Sequence, residues 1–334
     1  MVKTVDRAFN FFMTDYVNLD SSQTKLARSS RDWLISQIRL LSAKDNKFPI
    51  LYSEKDIDFG SFARCTKKRE LDDIDRMIAL IANGCIYYEL TDKIEIHVPD
   101  YEDRLKALCH DNTNILNSRK VIYKFISVLK LVPQYQKADI KRNQEAATLN
   151  LISYPWTFDI VPCFFTQKNY LSNRDYYLIP DGWGHWKKTD PRIDRERVSS
   201  INQQHDGNIL QVVRLMKYWN RRSTMPSMSS YLIENIILDF YSSHYPKALK
   251  YVNLEVINVL PYIQRAVCNL VYDPKGIQGD INHLSSIERD KISKKAYLDY
   301  IKSLTARIFE EEGEHKFAIA KWGEIFGSNF PQYT

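Results

Sequence analysis

Phe59-Gly60-Ser61-Phe62-Ala63-Arg64-Cys65-Thr66 leads into Leu71-Asp72-Asp73-Ile74-Asp75-Arg76-Met77. Residues 73–79 are predicted to form a strand, and the side-chain period of two then puts Asp73 and Asp75 on one face with Ile74 on the other. Asp72 faces away. Two converging carboxylates suit Mg²⁺, a hard cation that takes one or two carboxylates together with substrate phosphate oxygens. Acids two residues apart are common, and the plain alternative is a solvated strand edge. The upstream Gly60-Ser61 favours the first reading. A Gly-Ser turn lets the backbone approach a phosphate closely, and a helix beginning there aims its free N–H groups at the anion. Taken alone, it is also an ordinary loop with a serine cap.

A third carboxylate lies in Trp156-Thr157-Phe158-Asp159-Ile160-Val161-Pro162. Phe158 and Ile160 are expected to bury on one face and leave Asp159 projecting from the other, where an acid between apolar neighbours is costly unless paired or metal-bound. Asp73, Asp75 and Asp159 on neighbouring strands would make a two-metal site, with one ion activating a hydroxyl and the other clamping a triphosphate and its leaving group.

Outward from these residues, apolar spacing predicts two helices between Thr4 and about Ala43, the second capped near Asp20-Ser21-Ser22. Cys85 to Leu90 and Lys93 to Val98 read as strands around Thr91-Asp92. Residues 118–131 are helical and stop at Pro133, and 147–165 is again strand-like. From Pro191 onward the pattern is helical, with segments near 194–220, 229–242, 254–270 and 285–311. The expected organisation is α+β and bilobal: residues 1–190 carry N-terminal helices and a mixed sheet, residues 191–334 a helical lobe, and the active site lies in the cleft between them.

Composition agrees with a folded, water-exposed chain. Its 334 residues are 44% hydrophobic and 26% charged, with a mean hydropathy of -0.41, which places it among globular proteins rather than disordered or membrane-spanning ones. The net charge of +6 falls short of a dedicated duplex-DNA binder. Five scattered cysteines without a C-x-x-C pair suggest neither a zinc ribbon nor a disulfide framework. With no apolar leader at Met1, the expected location is the cytoplasm, away from membranes.

In the helical half, Ile209, Val212, Val213, Met216 and Trp219 form an apolar stripe, and Arg214, Lys217 and Arg221 share another face at i, i+3 and i+7. Such a cationic face is ordinarily solvated. Ser230 opens a helix behind Pro226, where it reads as an N-cap, and Tyr231 as packing.

In this order, Gly60-Ser61, Asp73-Ile74-Asp75 and Asp159 resemble the DNA polymerase β-like nucleotidyltransferases. Lys217-Tyr218-Trp219, Ser230-Tyr231-Leu232-Ile233-Glu234, Tyr272-Asp273-Pro274 and Trp322-Gly323-Glu324-Ile325-Phe326-Gly327 with Phe330-Pro331 narrow the resemblance to the bacterial cGAS/DncV-like enzymes, the CD-NTases of CBASS anti-phage defence. The resemblance covers essentially the whole chain. It implies that Asp73, Asp75 and Asp159 hold two Mg²⁺ ions, with Mn²⁺ as a substitute, and that Asp159 helps deprotonate a ribose hydroxyl. It implies that Gly60, Ser61, Lys217 and Ser230 contact the donor triphosphate and that Tyr231 stacks on a base. The implied reaction joins nucleoside triphosphates into a cyclic di- or trinucleotide with release of pyrophosphate, and a downstream effector reads the product.

The vertebrate synthase of this superfamily carries a zinc-binding insertion, and this chain has no Cys/His cluster to match it. Double-stranded DNA is therefore not an implied activator, no long nucleic acid is expected as a partner, and the enzyme is expected to be a monomer. Two other readings share these residues: a template-independent RNA or tRNA nucleotidyltransferase, and a non-catalytic nucleotide-binding module.

Overall fold

The computed structural model describes residues 1–169, 173–223, 225–226, 228–243 and 247–334. Its strands are β1 (Ile57–Phe59), β2 (Asp73–Leu80), β3 (Ile86–Glu89), β4 (Ile94–His97), β5 (Asp139–Asn143), β6 (Ala146–Asn150), β7 (Thr157–Phe165), β8 (Tyr177–Pro180) and β9 (Trp186–Thr189). Its α-helices are α1 (Val5–Phe12), α2 (Ser21–Lys44), α3 (Gly60–Ala63), α4 (Asp103–Lys106), α5 (Ser118–Leu129), α6 (Pro191–Gln204), α7 (Ile209–Asn220), α8 (Ser230–Ser243), α9 (Val252–Ala266), α10 (Ser286–Glu311) and α11 (His315–Phe326). The chain divides into two compact units: Ser22–Ala63 with Leu71–Pro191, and Met1–Ser21, Arg64–Glu70 and Arg192–Thr334.

The first unit is built on a single mixed sheet in the order β1-β2-β7-β8-β9-β4-β3, with β6 also on β7 and β5 on β6. β2 and β7 run parallel, and the other pairs are antiparallel. From Met77 to Leu80, β2 is buried at every residue, as expected for a strand covered on both faces. α5 packs against β5, β6, β7 and β8. It begins where Asn117 accepts the amides of Arg119 and Lys120, and it ends ahead of Pro133, which cannot continue a helix. Phe125 of α5 meets Phe48 edge-on at 5.1 Å, closing the core beneath the sheet.

The second unit is helical. Its apolar core gathers Val5, Ala8, Phe9 and Phe12 of α1 with α6 to α11, and Phe9 lies edge-on to Trp322 at 4.9 Å and to Phe330 at 5.1 Å. For that reason residues 1–21 belong with the C-terminal helices, where a single division at residue 190 would have put them with the sheet. The two ends of the chain meet: the amide of Val2 donates to Thr334 Oγ1 at 2.9 Å, and the amide of Thr334 to the Val2 carbonyl at 3.0 Å. The segment expected to be helical from 194 to 220 is two helices, α6 and α7, broken where Gly207 takes φ +85°. Asp299 of α10 is fully buried, accepts a hydrogen bond from Trp219 Nε1 at 2.7 Å and is neutralised by Arg222 at 3.0 Å and Lys295 at 2.8 Å, which ties α10 to α7.

Candidate active site

In the sheet unit, β2 sends Ile74 into the core at 1% exposure and holds Asp73 and Asp75 half-buried on the other face. The parallel pairing with β7 sets Asp75 opposite Asp159 and Asp73 opposite Thr157. Strands stand ~4.8 Å apart in the pairing direction, so the register alone brings two carboxylates from distant parts of the chain together. Phe158 and Ile160 are buried, leaving Asp159 on the acidic side as the alternation requires.

Asp159 has a further partner that the sequence did not suggest. Thr148 of β6 faces it across the antiparallel pair, and its hydroxyl donates to Asp159 Oδ1 at 2.6 Å. That bond fixes one carboxylate oxygen and leaves the other free to turn towards a ligand. Arg76, sent to the other face by the same alternation, is engaged by Asp58 at 2.8 Å and Asp56 at 3.7 Å.

Gly60 follows β1, whose last residue Phe59 pairs with Asp75. It takes φ +71°, and a Cβ there would come within 1.8 Å of Asp75 Oδ2. Both the left-handed conformation and the close approach admit only glycine. α3, which starts at Gly60, is pinned by Phe62, buried beneath the guanidinium of Arg28 at 6.0 Å. Ser61 therefore begins a turn held directly against the Asp75 carboxylate.

Three carboxylates supply the hard oxygen donors that a divalent cation of the Mg²⁺ type takes. Among the described residues no three His, Cys, Asp or Glu side chains form a ready cage for a metal ion.

In the helical unit the expected residues sit differently. Lys217 does not share a solvated face with Arg214 and Arg221. It is 3% exposed, and its ammonium bonds to Glu234 of α8 and, at 3.2 Å, to both Thr66 Oγ1 and the Thr66 carbonyl. Glu234 also accepts from Arg64 Nε at 2.6 Å and from Thr66 Oγ1 at 2.7 Å. Burial alone would raise the Glu234 carboxyl, but the charges of Lys217 and Arg64 outweigh it and hold it down at about 2. The sequence signal for this network was an acid inside the apolar run of α8, which must find a cation to be buried.

Ser230 is the first residue of α8, but the capping oxygen is that of Ser229, which accepts the Tyr231 amide at 3.2 Å. The Tyr231 hydroxyl lies 2.7 Å from Asp194 Oδ1 and 3.2 Å from Asp273 Oδ1, and it receives a bond from Lys275 Nζ at 2.5 Å. Burial and the two carboxylates push this phenol far above its ordinary range. Its ring lies under the Arg64 guanidinium at 5.7 Å and the Lys275 ammonium at 4.5 Å. A tyrosine held this firmly offers a ring of fixed orientation. Nothing in the local sequence pattern pointed to Asp194 or Lys275.

A mixed sheet unit with a separate helical unit is a fold shared with solved DncV-like nucleotidyltransferases. CdnC of Escherichia coli MS115-1, solved with ATP, superposes with a TM-score of 0.69 at 16% identity over 98% of both chains. The Vibrio cholerae DncV cyclic AMP-GMP synthase gives 0.60 at 14% identity over 84% of this chain and 70% of that one. No family model matches the sequence. A probable cyclic nucleotide synthase of Bacillus cereus (strain VD146) is 45% identical over 335 residues, spanning 100% of this chain and 99% of its own. A cyclic AMP-AMP-AMP synthase of Acinetobacter sp. (strain ATCC 27244 / 9458) is 26% identical over 166 residues, 47% of each chain. The chain belongs to the bacterial cyclic nucleotide synthases, the CD-NTases. It is a nucleotidyltransferase, and membership of this family carries divalent-metal dependence with it. Among the described residues no helix is long and apolar enough to cross a membrane.

Proposed function

We propose that the chain joins nucleoside triphosphates through a ribose 2′- or 3′-hydroxyl into a cyclic di- or trinucleotide, releasing pyrophosphate at each step, and that a downstream effector reads this product in anti-phage defence. The observation that carries the reading is the register of β2 on β7, which sets Asp75 opposite Asp159, with Gly60 closed against Asp75.

Asp73, Asp75 and Asp159 would hold two Mg²⁺ ions, or Mn²⁺ in their place, and this pair supplies charge neutralisation on the triphosphate and the departing pyrophosphate. Asp159 accepts the proton of the attacking hydroxyl through the oxygen that Thr148 leaves open. Gly60 and Ser61 are the triphosphate contacts of this reading in the sheet unit; the helical unit offers Ser230 and, for stacking on a base, Tyr231, whereas Lys217, buried on Glu234 and Thr66, braces α7 against α8 and reaches no triphosphate. Little covalent chemistry falls to the protein, because phosphoryl transfer depends mainly on positioning and on charge.

The test is to incubate the purified chain with the four labelled nucleoside triphosphates and Mg²⁺ or Mn²⁺, digest with phosphatase, and identify the survivors by mass spectrometry. A phosphatase-resistant cyclic species is expected, lost on chelation with EDTA, restored by either ion, and absent from the Asp73→Asn/Asp75→Asn variant, whose melting curve stays close to that of the parent. Retained turnover in that variant would sink the metal assignment. A product that forms only on an added RNA primer would instead select the linear nucleotidyltransferase.

A further inference from the structure

The turn between β8 and β9, Asp181-Gly182-Trp183-Gly184-His185, holds an indole out in solvent. Asp181 Oδ1 accepts the Trp183 amide at 2.7 Å and the Gly184 and His185 amides at 3.0 Å, and both glycines take positive φ. The Gly184 carbonyl is fixed in turn by the Ser118 amide of α5 at 3.0 Å. Burying an indole is among the larger gains open to a side chain, yet on this well-tied turn Trp183 is 79% exposed.

Two guanidiniums converge beside it. Arg119 of α5 and Arg142 of β5 both donate to the Gly182 carbonyl, at 3.3 and 3.2 Å, and Arg119 lies over the indole, 6.0 Å from the ring centre. Neither arginine forms an ion pair among the described residues. The acids of the neighbouring segments are taken, Asp139 by Lys141 at 2.6 Å, Glu145 by Lys187 and Asp111 by Lys120 at 2.7 Å. A guanidinium held by carbonyls alone keeps donors open for an anion. One helical turn beyond Arg119, Tyr123 is 56% exposed, with its Cβ about 6 Å from that of Arg119. Arg119 thus has one exposed ring beside it on the turn and a second along its own helix.

Exposed rings interleaved with unpaired arginines match a single nucleic-acid strand, whose bases stack on the rings while its phosphates meet the cations. A free nucleotide calls for a concave site that covers it, whereas these rings stand out from the surface. An acidic peptide would satisfy the arginines and leave the indole face without a flat partner. We propose that this face of the sheet unit binds a single-stranded nucleic acid, one base on Trp183, a neighbouring base on Tyr123, and the phosphates on Arg119 and Arg142. The expectation of no long nucleic acid rested on a net charge of +6 and on the many phosphate contacts a duplex needs; a strand of a few nucleotides needs only these two. The inference is independent of what the acids catalyse, because none of the four residues belongs to the candidate active site.

The test is fluorescence anisotropy of the purified full chain with labelled oligouridylate and oligodeoxythymidylate of about ten nucleotides, a length that spans such a site. Both strands are expected to bind more tightly than a duplex of the same length. Trp183→Ala is expected to weaken binding about tenfold or more, and Trp183→Phe, which keeps a ring face, to recover most of the loss. Because Trp183 stands in solvent, its replacement leaves the fold intact, which an unchanged melting curve checks. Arg119→Gln and Arg142→Gln can still donate to the Gly182 carbonyl. Each is expected to reduce the slope of log affinity against log salt by about 0.7, one phosphate contact. Binding of neither strand, or binding that the Trp183 and arginine variants leave unchanged, overturns the proposal. So does a duplex that binds equally well, or displacement of the strand by uridine monophosphate or polyglutamate at matched concentration.

Discussion

Gly60 and Lys217 show how far one side chain can decide the behaviour of this protein. At Gly60, the smallest possible change, Gly60→Ala, forces a φ of +71° on a residue that disfavours it and drives a methyl group to 1.8 Å from Asp75 Oδ2. Either the turn or the carboxylate must move, and a displacement of about 1 Å at a reacting centre costs on the order of 100-fold in rate. Product formation by Gly60→Ala is expected to fall by that order in an initial-rate assay. Lys217 tests a different property. Its ammonium is buried on Glu234 and Thr66, so Lys217→Ala removes one of the two cations on a buried carboxylate that Arg64 and Thr66 still hold, which costs about 1–3 kcal/mol. The expected readout is a lower urea midpoint with the denaturant slope unchanged.

Elements are positioned here by their ends as much as by their faces. α10 begins with a reciprocal pair in which Ser285 Oγ accepts the Glu288 amide and the Glu288 carboxylate accepts the Ser285 amide at 2.8 Å. Removing the serine oxygen leaves the Glu288 amide without its acceptor. Ser285→Ala is expected to destabilise the protein by about 1 kcal/mol, read as a small fall in melting temperature with turnover retained, because the cap lies at the surface and far along the chain from the acidic strands. In the sheet, β2 and β7 are bound by register. A one-residue slip would carry Asp159 to the buried face and bring Phe158 or Ile160 opposite Asp75, so the hydrophobic alternation of β7 that buries those two residues also protects the site.

For the whole molecule, Glu234 is one of several carboxylates, Asp273 and Glu89 among them, whose ionised form the fold favours below neutral pH. Its carboxyl is held at about 2 against an ordinary value of 4.5, so the folded state binds this proton less readily than the unfolded one. Its contribution is fully present above pH 4.5, and it is lost as pH falls from there towards 2. Denaturant melts of the parent are expected to weaken across that window, and Glu234→Gln, already weaker at neutral pH, is expected to show a flatter profile there. An equal slope in both proteins would remove Glu234 as the cause. Much of this molecule was legible before any coordinates. The alternation around Ile74 and Phe158 determined which way Asp73, Asp75 and Asp159 point, because period-two geometry is local, and the glycine at position 60 announced a backbone that a side chain would obstruct. What the sequence did not reveal depends on contacts between distant residues. Asp75 meets Asp159, and Thr148 meets Asp159, only through strand pairing. The spacing of α7 showed that Lys217 lies off the apolar stripe, but only the packing of α8 against it decided that Lys217 is buried on Glu234. Helix and strand periods are set by covalent geometry within a few residues and are written in the sequence, whereas the partner that each face meets is chosen by burial over the whole fold.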